Sequence, residues 1–415
     1  MYKIYFRQAI EMLKQNKFIS IISITGTALA IMMIMALIVS VSVNNISIPP
    51  EPNRDNLLYL KIFVKNAPNG NVVMSRGISH QFAKEYFYPL KTPQKISGIA
   101  FFRNKSLAKS DNIRNRLSID VKQTDATYWE LMSYSFIEGK PFTQADFESG
   151  IKNAVISDKL AKKLFGNESS LGKTFHLDFT PYKVVGVVKS VSKVFQFAYA
   201  DAWVPYTSKN GYEGLYYTML LLAKNRKDFD AIKEEIRECE RKYNATDEHH
   251  TITFMGPYDH EIQKLNVSNL FPDEKAHHQR FVFIIAILLL VPAINLSGFS
   301  LSRVKKRTEE IGIRKAFGAK KSTILIQILY ENMVTSLIGG IIGLVLSYFT
   351  VSWLKEWLLG VEADSTIPLS TVISVPVFLY TFGACIILNL LSSGLPAYRA
   401  SKMAIVDSIT KKEEK

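Results

Sequence analysis

Apolar residues in this chain gather into long unbroken runs near its two ends, and a long polar stretch separates them. At the start, Tyr2, Tyr5, Phe6, Ala9, Ile10 and Leu13 recur at helical spacing, while Lys3, Arg7, Gln8, Glu11 and Lys14 take the opposite face. The pattern predicts an amphipathic helix over residues 1–17 lying in a membrane interface, with lipid as its partner. Residues 18–43 form the first apolar run, about 26 residues against the ~20 that cross a bilayer. A secretory leader has an apolar core of only ~7–15 residues, with small residues after it. Here Ala28-Leu29-Ala30 lies inside the run, so the segment reads as an uncleaved span. Gly26 and Ala30, small and four apart, permit close contact with another helix.

The polar stretch, residues 44–279, alternates strand and helix signals. Asn56–Val64, Ile96–Arg103, Leu117–Gln123, Lys183–Val188, Tyr216–Ala223 and Thr251–Met255 read as strands. Helices are predicted over Ser79–Leu90 and Asp228–Lys242, and over Asp158–Phe165, where strand Ala154–Ser157 leads in and Gly166 closes. The expected fold is an α+β domain with its own core.

Three more apolar runs follow, at 280–300, 324–353 and 373–395, so four membrane helices are expected, with the α+β domain inserted between the first and second. Charge sets the orientation. The formal net charge is +14. Met1–Lys17, Arg303–Thr323 and Ala397–Lys415 hold seventeen Lys/Arg against six Asp/Glu. Basic residues concentrated beside spans signal topology rather than a nucleic-acid footprint. In the loop 354–372, Lys355 faces three acids, Glu356, Glu362 and Asp364. The reading is a multi-pass protein of the cell (inner) membrane, with both termini, the loop 303–323 and the tail 396–415 cytoplasmic and the large domain extracytoplasmic.

The loop 303–323 carries more than charge. Its core, Glu310-Ile311-Gly312-Ile313-Arg314-Lys315-Ala316-Phe317-Gly318-Ala319, places Ile311, Ile313 and Phe317 in a segment expected to face the cytoplasm. Gly318 suits a helix stop, because glycine accepts the left-handed conformation, and Ser322 or Thr323 suits the cap of the next helix. A positive-inside anchor and a docking helix both fit the charge; the apolar positions fit only the second. The run after the loop carries small residues, Gly339, Gly343 and Ser347 with Ser336 and Gly340 beside them. Such a stripe serves packing within one chain or a seam between two copies. Asn295 and Asn389 are polar groups at membrane depth, suited to hydrogen bonds between helices.

Catalytic and ligand chemistry is sparse. Gly166–Thr174 (GNESSLGKT) has five residues between its first glycine and the Gly-Lys pair, where a phosphate loop needs four. Cys239 and Cys385 lie in polar and apolar regions respectively, without a CxxC pair, and the seven histidines lack metal-ligand spacing. No cofactor, metal or catalytic residue is expected.

The segment Glu310–Ala319 resembles the signature of the FtsX/MacB-type ABC permeases, which include the lipoprotein-releasing permeases. Further segments are similar to that family in the same order: Phe136–Phe142 (FIEGKPF), Phe165–Thr174, Tyr182–Val188 (YKVVGVV), Ala202–Tyr206 (AWVPY) and Leu395–Lys402 (LPAYRASK). The resemblance implies a four-span permease that works as a dimer, with itself or with a paralogous permease. It implies an ABC ATPase contacting the loop through Glu310, Ile311, Gly312, Ile313, Arg314, Lys315, Phe317 and Gly318. It also admits a periplasmic adaptor. MacB-type members carry the ATPase fused ahead of the first span; the short stretch before this first span leads to the expectation of a separate ATPase chain. The implied function is ATP-driven mechanical movement of the extracytoplasmic domain, for export or extraction of a drug, peptide or lipoprotein. The alternative is a non-transporting, FtsX-like regulator or sensor; the size of the extracytoplasmic domain favours the former.

Overall fold

The computed structural model describes residues 2–267 apart from 16, 101–103, 111–114 and 248, then 272–273, 275–284 and 308–354, with isolated positions among 286–298 and 379–398. The chain divides into two compact units, Asn44–Glu274 and a helical unit built from Met1–Val43 and Lys275–Lys415.

In the helical unit, α1 (Tyr2–Gln15) is the amphipathic segment, and α2 (Lys17–Asn45) holds the first apolar run. The other two long described elements of this unit lie after residue 300, in the region of the basic loop and the run that follows it. Among the described residues, two helices, within α2 and over Lys321–Trp353, are long and apolar enough to cross a membrane. The runs expected at 280–300 and 373–395, the loop 354–372 and the tail 396–415 fall mostly or wholly outside the described residues.

The α+β unit has two cores. Its strands are β1 (Leu57–Leu60), β2 (Ile62–Asn66), β3 (Val72–Ser79), β4 (Lys95–Ala100), β5 (Asn104–Lys109), β6 (Leu117–Thr124), β7 (Phe136–Gly139), β8 (Asn153–Ser157), β9 (Thr174–Leu177), β10 (Thr180–Val188), β11 (Ala202–Pro205), β12 (Tyr216–Leu222) and β13 (Thr251–Met255). Its two longer helices are α3 (Asp158–Phe165) and α4 (Phe229–Thr246). Asn56–Val64, expected as one strand, is two. β1 pairs with β12, whereas β2 pairs with β3 and β13. Lys61 between them is buried and sends its ammonium to Gln263, which interrupts the apolar run. The expected helix over Ser79–Leu90 is shorter: β3 runs through Ser79, whose Oγ accepts from Phe82 N, and helical turns follow to Phe87.

The first core lies where α4 covers the sheet of β4, β12 and β1. Ile232, Ile236 and Cys239 of α4 are buried with Leu58, Ile96 and Leu221. Each such side chain contributes about 1.5–3 kcal/mol when taken from water.

The second core is a ring of six strands. β6 and β11 pair in parallel, as do β8 and β10. The pairs β11–β8, β10–β9, β9–β5 and β5–β6 are antiparallel and complete the circuit. Closure removes free sheet edges. Alternation fills the interior: Ile119 and Val121 of β6 meet Phe175 of β9, Val184 of β10 and Ala202 of β11. α3 packs on the ring through Leu160 and Leu164. Ser157 caps its start by accepting from Leu160 N, and Gly166, at φ +73°, ends it.

Asp125 rivets the two cores. It directly follows β6, and its carboxylate accepts from Gly98 N and Ser97 Oγ of β4, each at 2.7 Å, from Tyr128 N at 3.0 Å and from Tyr88 Oη at 3.1 Å. Burial outweighs these donors and pushes the carboxyl up to about 6.

Candidate coupling site

α5 (Thr308–Ala316) forms from the Glu310–Ala319 segment, and Gly318, at φ +87°, turns the chain out of it. The left-handed conformation there favours glycine. α6 (Lys321–Trp353) then begins, with Lys320 at its cap position and no side-chain cap. Ser322 and Thr323, expected as caps, are already inside its first turn; the helix starts directly after the Gly318–Lys320 turn and leaves no place for them.

Ile311, Ile313 and Phe317 do not share one face. Ile311 packs on Ile324 and Ile328 of α6. Ile313 and Phe317, one turn apart, are 51% and 89% exposed. Residues two apart on a helix point in nearly opposite directions, whereas i and i+4 lie together. Gly312 is buried, and Gly318 is exposed. Lys315 is half-buried; burial, and then Lys321, lower its pKa.

Arg314 ties α5 to α6. Its Nη2 donates to Glu310 Oε1 at 2.5 Å and its Nη1 to Gln327 Oε1 at 2.8 Å. Gln327 Nε2 donates in turn to Glu331 Oε1 at 3.2 Å. The chain of groups Glu310–Arg314–Gln327–Glu331 fixes the short helix against the long one through charge-assisted bonds.

The small residues of α6 lie against α2. A Cβ on Gly339 would meet Thr27 Cβ at 2.8 Å, and one on Gly343 would meet the Ala28 carbonyl at 2.6 Å. The contact runs along Ile24, Thr27, Ala28 and Ile31, one step around the helix from Gly26 and Ala30. A Cβ on Gly340 would strike the Phe382 ring. Ser336 Oγ donates to Asn332 O and Ser347 Oγ to Leu344 O, so both hydroxyls are satisfied within α6.

A second polar cluster closes the base of the α+β unit, where its chain enters and leaves. Arg54 and Glu51 form a fully buried ion pair at 2.7 Å. Glu51 Oε1 also accepts from Phe197 N and Ala198 N, each at 2.8 Å, and Arg54 donates to the Ile46 and Val194 carbonyls. Lys264 Nζ donates to Asn45 Oδ1 at 2.7 Å, and Tyr59 and Tyr258 exchange backbone bonds. Lys61 donates to Gln263 O and Oε1. Burial lowers Lys61 to about 8; burial and then the neighbouring Arg54 lower Lys264 to about 8. Sequence reasoning missed this cluster because its members are scattered over residues 45–264. The signal available was the run of charge in Glu51–Asp55 beside an apolar span.

The Gly166–Thr174 turn holds no phosphate-loop geometry. Gly172 N donates to Val184 O, and Lys173 pairs with Glu168 in the same turn.

Helices apolar enough to cross a bilayer, joined to a large folded α+β unit, fit a membrane protein with a domain outside the bilayer. Residues 18–238 match the MacB-like periplasmic core domain, and residues 282–405 match the FtsX-like permease C-terminal domain. The chain belongs to the FtsX/MacB-type family of ABC transporter permeases, membrane proteins with an extracytoplasmic domain. It is 28% identical to the uncharacterized ABC transporter permease YknZ of Bacillus subtilis over 61% of this chain and 64% of that one. It is 23% identical to YvrN of the same organism over 82% of each. It is 24% identical to the macrolide export ATP-binding/permease protein MacB of Bdellovibrio bacteriovorus over 98% of this chain and 61% of that protein. The matched regions thus span just under two thirds of the YknZ and MacB relatives.

Proposed function

We propose that this permease converts ATP hydrolysis by an ABC ATPase, carried on a separate chain, into mechanical movement of its extracytoplasmic domain, for export or extraction of an envelope substrate. One observation carries the reading. α5 presents Ile313 and Phe317 outward while Arg314 locks its inner side to α6. An exposed aromatic beside an exposed isoleucine suits a pocket on a protein partner. The Arg314–Gln327 link passes any displacement of α5 to a helix long enough to span the bilayer. In this reading the ATPase contacts the Glu310–Gly318 segment from the cytoplasmic side. The chain works in the inner membrane as a dimer, with itself or a paralogous permease. It has four spans and cytoplasmic termini. The buried Glu51–Arg54 pair and the Asn45–Lys264 bond make the base of the domain stiff enough to move as one piece.

The test is purification of the tagged chain in mild detergent with its partners identified by mass. The expected result is a soluble ABC ATPase, lost from the Ile313→Asp/Phe317→Asp double variant. Equal recovery of the ATPase from that variant would overturn the docking face.

A further inference from the structure

A chain of hydrogen-bonded side chains crosses the joint between the two cores of the α+β unit, from the half-buried His80 to the buried Asp125. His80 Nδ1 lies 3.1 Å from Tyr206 Oη, Tyr206 Oη lies 3.3 Å from Tyr88 Oη, and Tyr88 Oη lies 3.1 Å from Asp125 Oδ2. His80 and Tyr88 belong to the segment between β3 and β4, whereas Asp125 and Tyr206 directly follow β6 and β11, a parallel pair of the ring. Each of the three bonds therefore ties that segment to an end of the ring. Gly98 of β4 leaves room for the chain, since a Cβ there would come 3.1 Å from Tyr88 Oη.

The protons on this chain can be counted. A phenol has one hydrogen to donate, and a neutral imidazole has one N–H and one bare nitrogen. Burial raises Tyr88 and Tyr206 well above the ordinary phenol value, so both keep their hydrogens. An ionised Asp125 can only accept, so Tyr88 donates to it. Tyr88 then has only lone pairs for Tyr206, Tyr206 has only lone pairs for His80, and His80 must carry its hydrogen on Nδ1. With Asp125 protonated on Oδ2 every bond reverses. Asp125 donates to Tyr88, Tyr88 to Tyr206 and Tyr206 to His80 Nδ1, and the imidazole hydrogen sits on Nε2. One proton taken from water at Nε2, with one proton passed along each bond, converts the first arrangement into the second. Asp125 Oδ2 keeps a lone pair for Gly98 N in both.

The two ends differ in their access to water. Asp125 is 3% exposed, and Ser97, its other side-chain donor of β4, is not exposed at all. His80 is half-buried, and among the described residues its Nε2 has no hydrogen-bond partner. The rings of Tyr206, Tyr212 and Tyr217 pack around His80, and Lys84 and Glu213 are the charged groups that face it. Burial and then Lys84 lower its pKa, with Glu213 opposing them. Tyr88 and Tyr206 are the titratable groups that face Asp125, and burial raises that carboxyl to about 6. The first proton taken up therefore rests at Asp125.

We infer that His80 is the proton port of Asp125: the extracytoplasmic domain binds one proton at the joint of its two cores by turning over the hydrogen bonds through Tyr206 and Tyr88. All three bonds persist in both arrangements, so the joint takes up the proton without opening. The chain lies wholly within the α+β unit and does not depend on the coupling helix.

The full-length chain, carrying 15N-histidine and held in detergent, can be observed by 15N NMR at pH 7.5 and 5.5, with His80 assigned by the signals lost in His80→Gln. At pH 7.5 Nδ1 should be the protonated ring nitrogen and Nε2 the bare one; at pH 5.5 the two signals should have changed places. Tyr88→Phe and Tyr206→Phe each remove one hydroxyl and keep the ring, and each should abolish this exchange. Nε2–H at pH 7.5, an unchanged tautomer or an imidazolium at pH 5.5, or an exchange that persists in either phenylalanine variant would overturn the proton port. The wild-type spectra decide by themselves if a variant fails to fold.

Discussion

Arg314 on α5 and Gln327 on α6 are joined by a 2.8 Å hydrogen bond, and the same guanidinium holds Glu310 one turn back on its own helix. Arg314 thus bonds to the permease's own long helix. The pair with Glu310 is roughly 40% exposed on each side, at 39% and 44%, so its share of stability is small, under about 1 kcal/mol. Its value lies in geometry. Arg314→Ala should leave the melting temperature and ATPase co-purification nearly unchanged and lower substrate-dependent turnover by about 10-fold or more, because a loosened link dissipates motion. Co-purification and turnover measured on one preparation check the split; loss of both together would move Arg314 into the docking face.

Phe317 makes the opposite prediction. It is 89% exposed and touches little of its own chain, so Phe317→Asp should not alter folding. Losing a central aromatic anchor costs about 2 kcal/mol or more at an interface, which is about 30-fold in affinity. Binding of the purified variant to the ATPase, by surface plasmon resonance, checks the number.

How far these roles could be read in the sequence depends on how local they are. α3 follows from Ser157, Asp158 and Gly166, because its cap, dipole and stop all sit within ten residues, and β13 follows from its bounded alternation. The proposed docking surface was half legible. The sequence groups Ile311 with Ile313 and Phe317, and Ile311 could be assigned to α6 only once Ile324 and Ile328 were seen beside it. The base cluster was not legible, since Glu51 meets Phe197 across a long stretch of chain that no periodicity links. β3, β5 and β7 escaped for a related reason: their short, mixed sequences gain strand form from pairing with β2, β6 and β10.

Asp125 supplies a pH prediction. Its folded carboxyl titrates near 6, above the unfolded value of about 3.8. The folded state therefore holds the proton more tightly, and the contribution of Asp125 to stability falls as pH rises from 4 to 6, then stays level. A displacement of that size corresponds to about 3 kcal/mol. Asp125→Asn should flatten this part of the stability profile. Asp125→Ala should flatten it as well and should cost most at pH 4, where the carboxyl contributes most, since Gly98 N, Ser97 Oγ and Tyr128 N lose their acceptor. Urea unfolding at pH 4, 5, 6 and 7 for the three proteins checks both statements; parallel wild-type and Asn profiles would refute the assigned titration.

Gly343 tests the seam between α2 and α6. A Cβ there would come 2.6 Å from the Ala28 carbonyl, a backbone atom that cannot swing aside. Gly343→Leu should therefore force the helices apart, at about 1–3 kcal/mol. Gly383 is a useful control, since nothing stands within 4 Å of its missing Cβ. Thermal unfolding of the detergent-solubilised variants should show a lower midpoint for Gly343→Leu than for Gly383→Ala, and equal midpoints would place the seam elsewhere.

Glu51 and Arg54 test the stiffness of the domain base. Both side chains are essentially unexposed, and Glu51 holds two backbone N–H groups of the Phe197–Ala198 segment besides the guanidinium. Arg54→Met strands a buried carboxylate and should destabilise by about 3–5 kcal/mol. Glu51→Gln combined with Arg54→Met removes both charges, yet the amide oxygen introduced at position 51 can still accept from the backbone. The double variant should therefore recover a large part of that loss. A double-mutant cycle by chemical denaturation measures the coupling between the two sites. If turnover stays low in the double variant after stability has returned, the ion pair is needed to carry movement through the base; if turnover returns with stability, packing alone makes that connection.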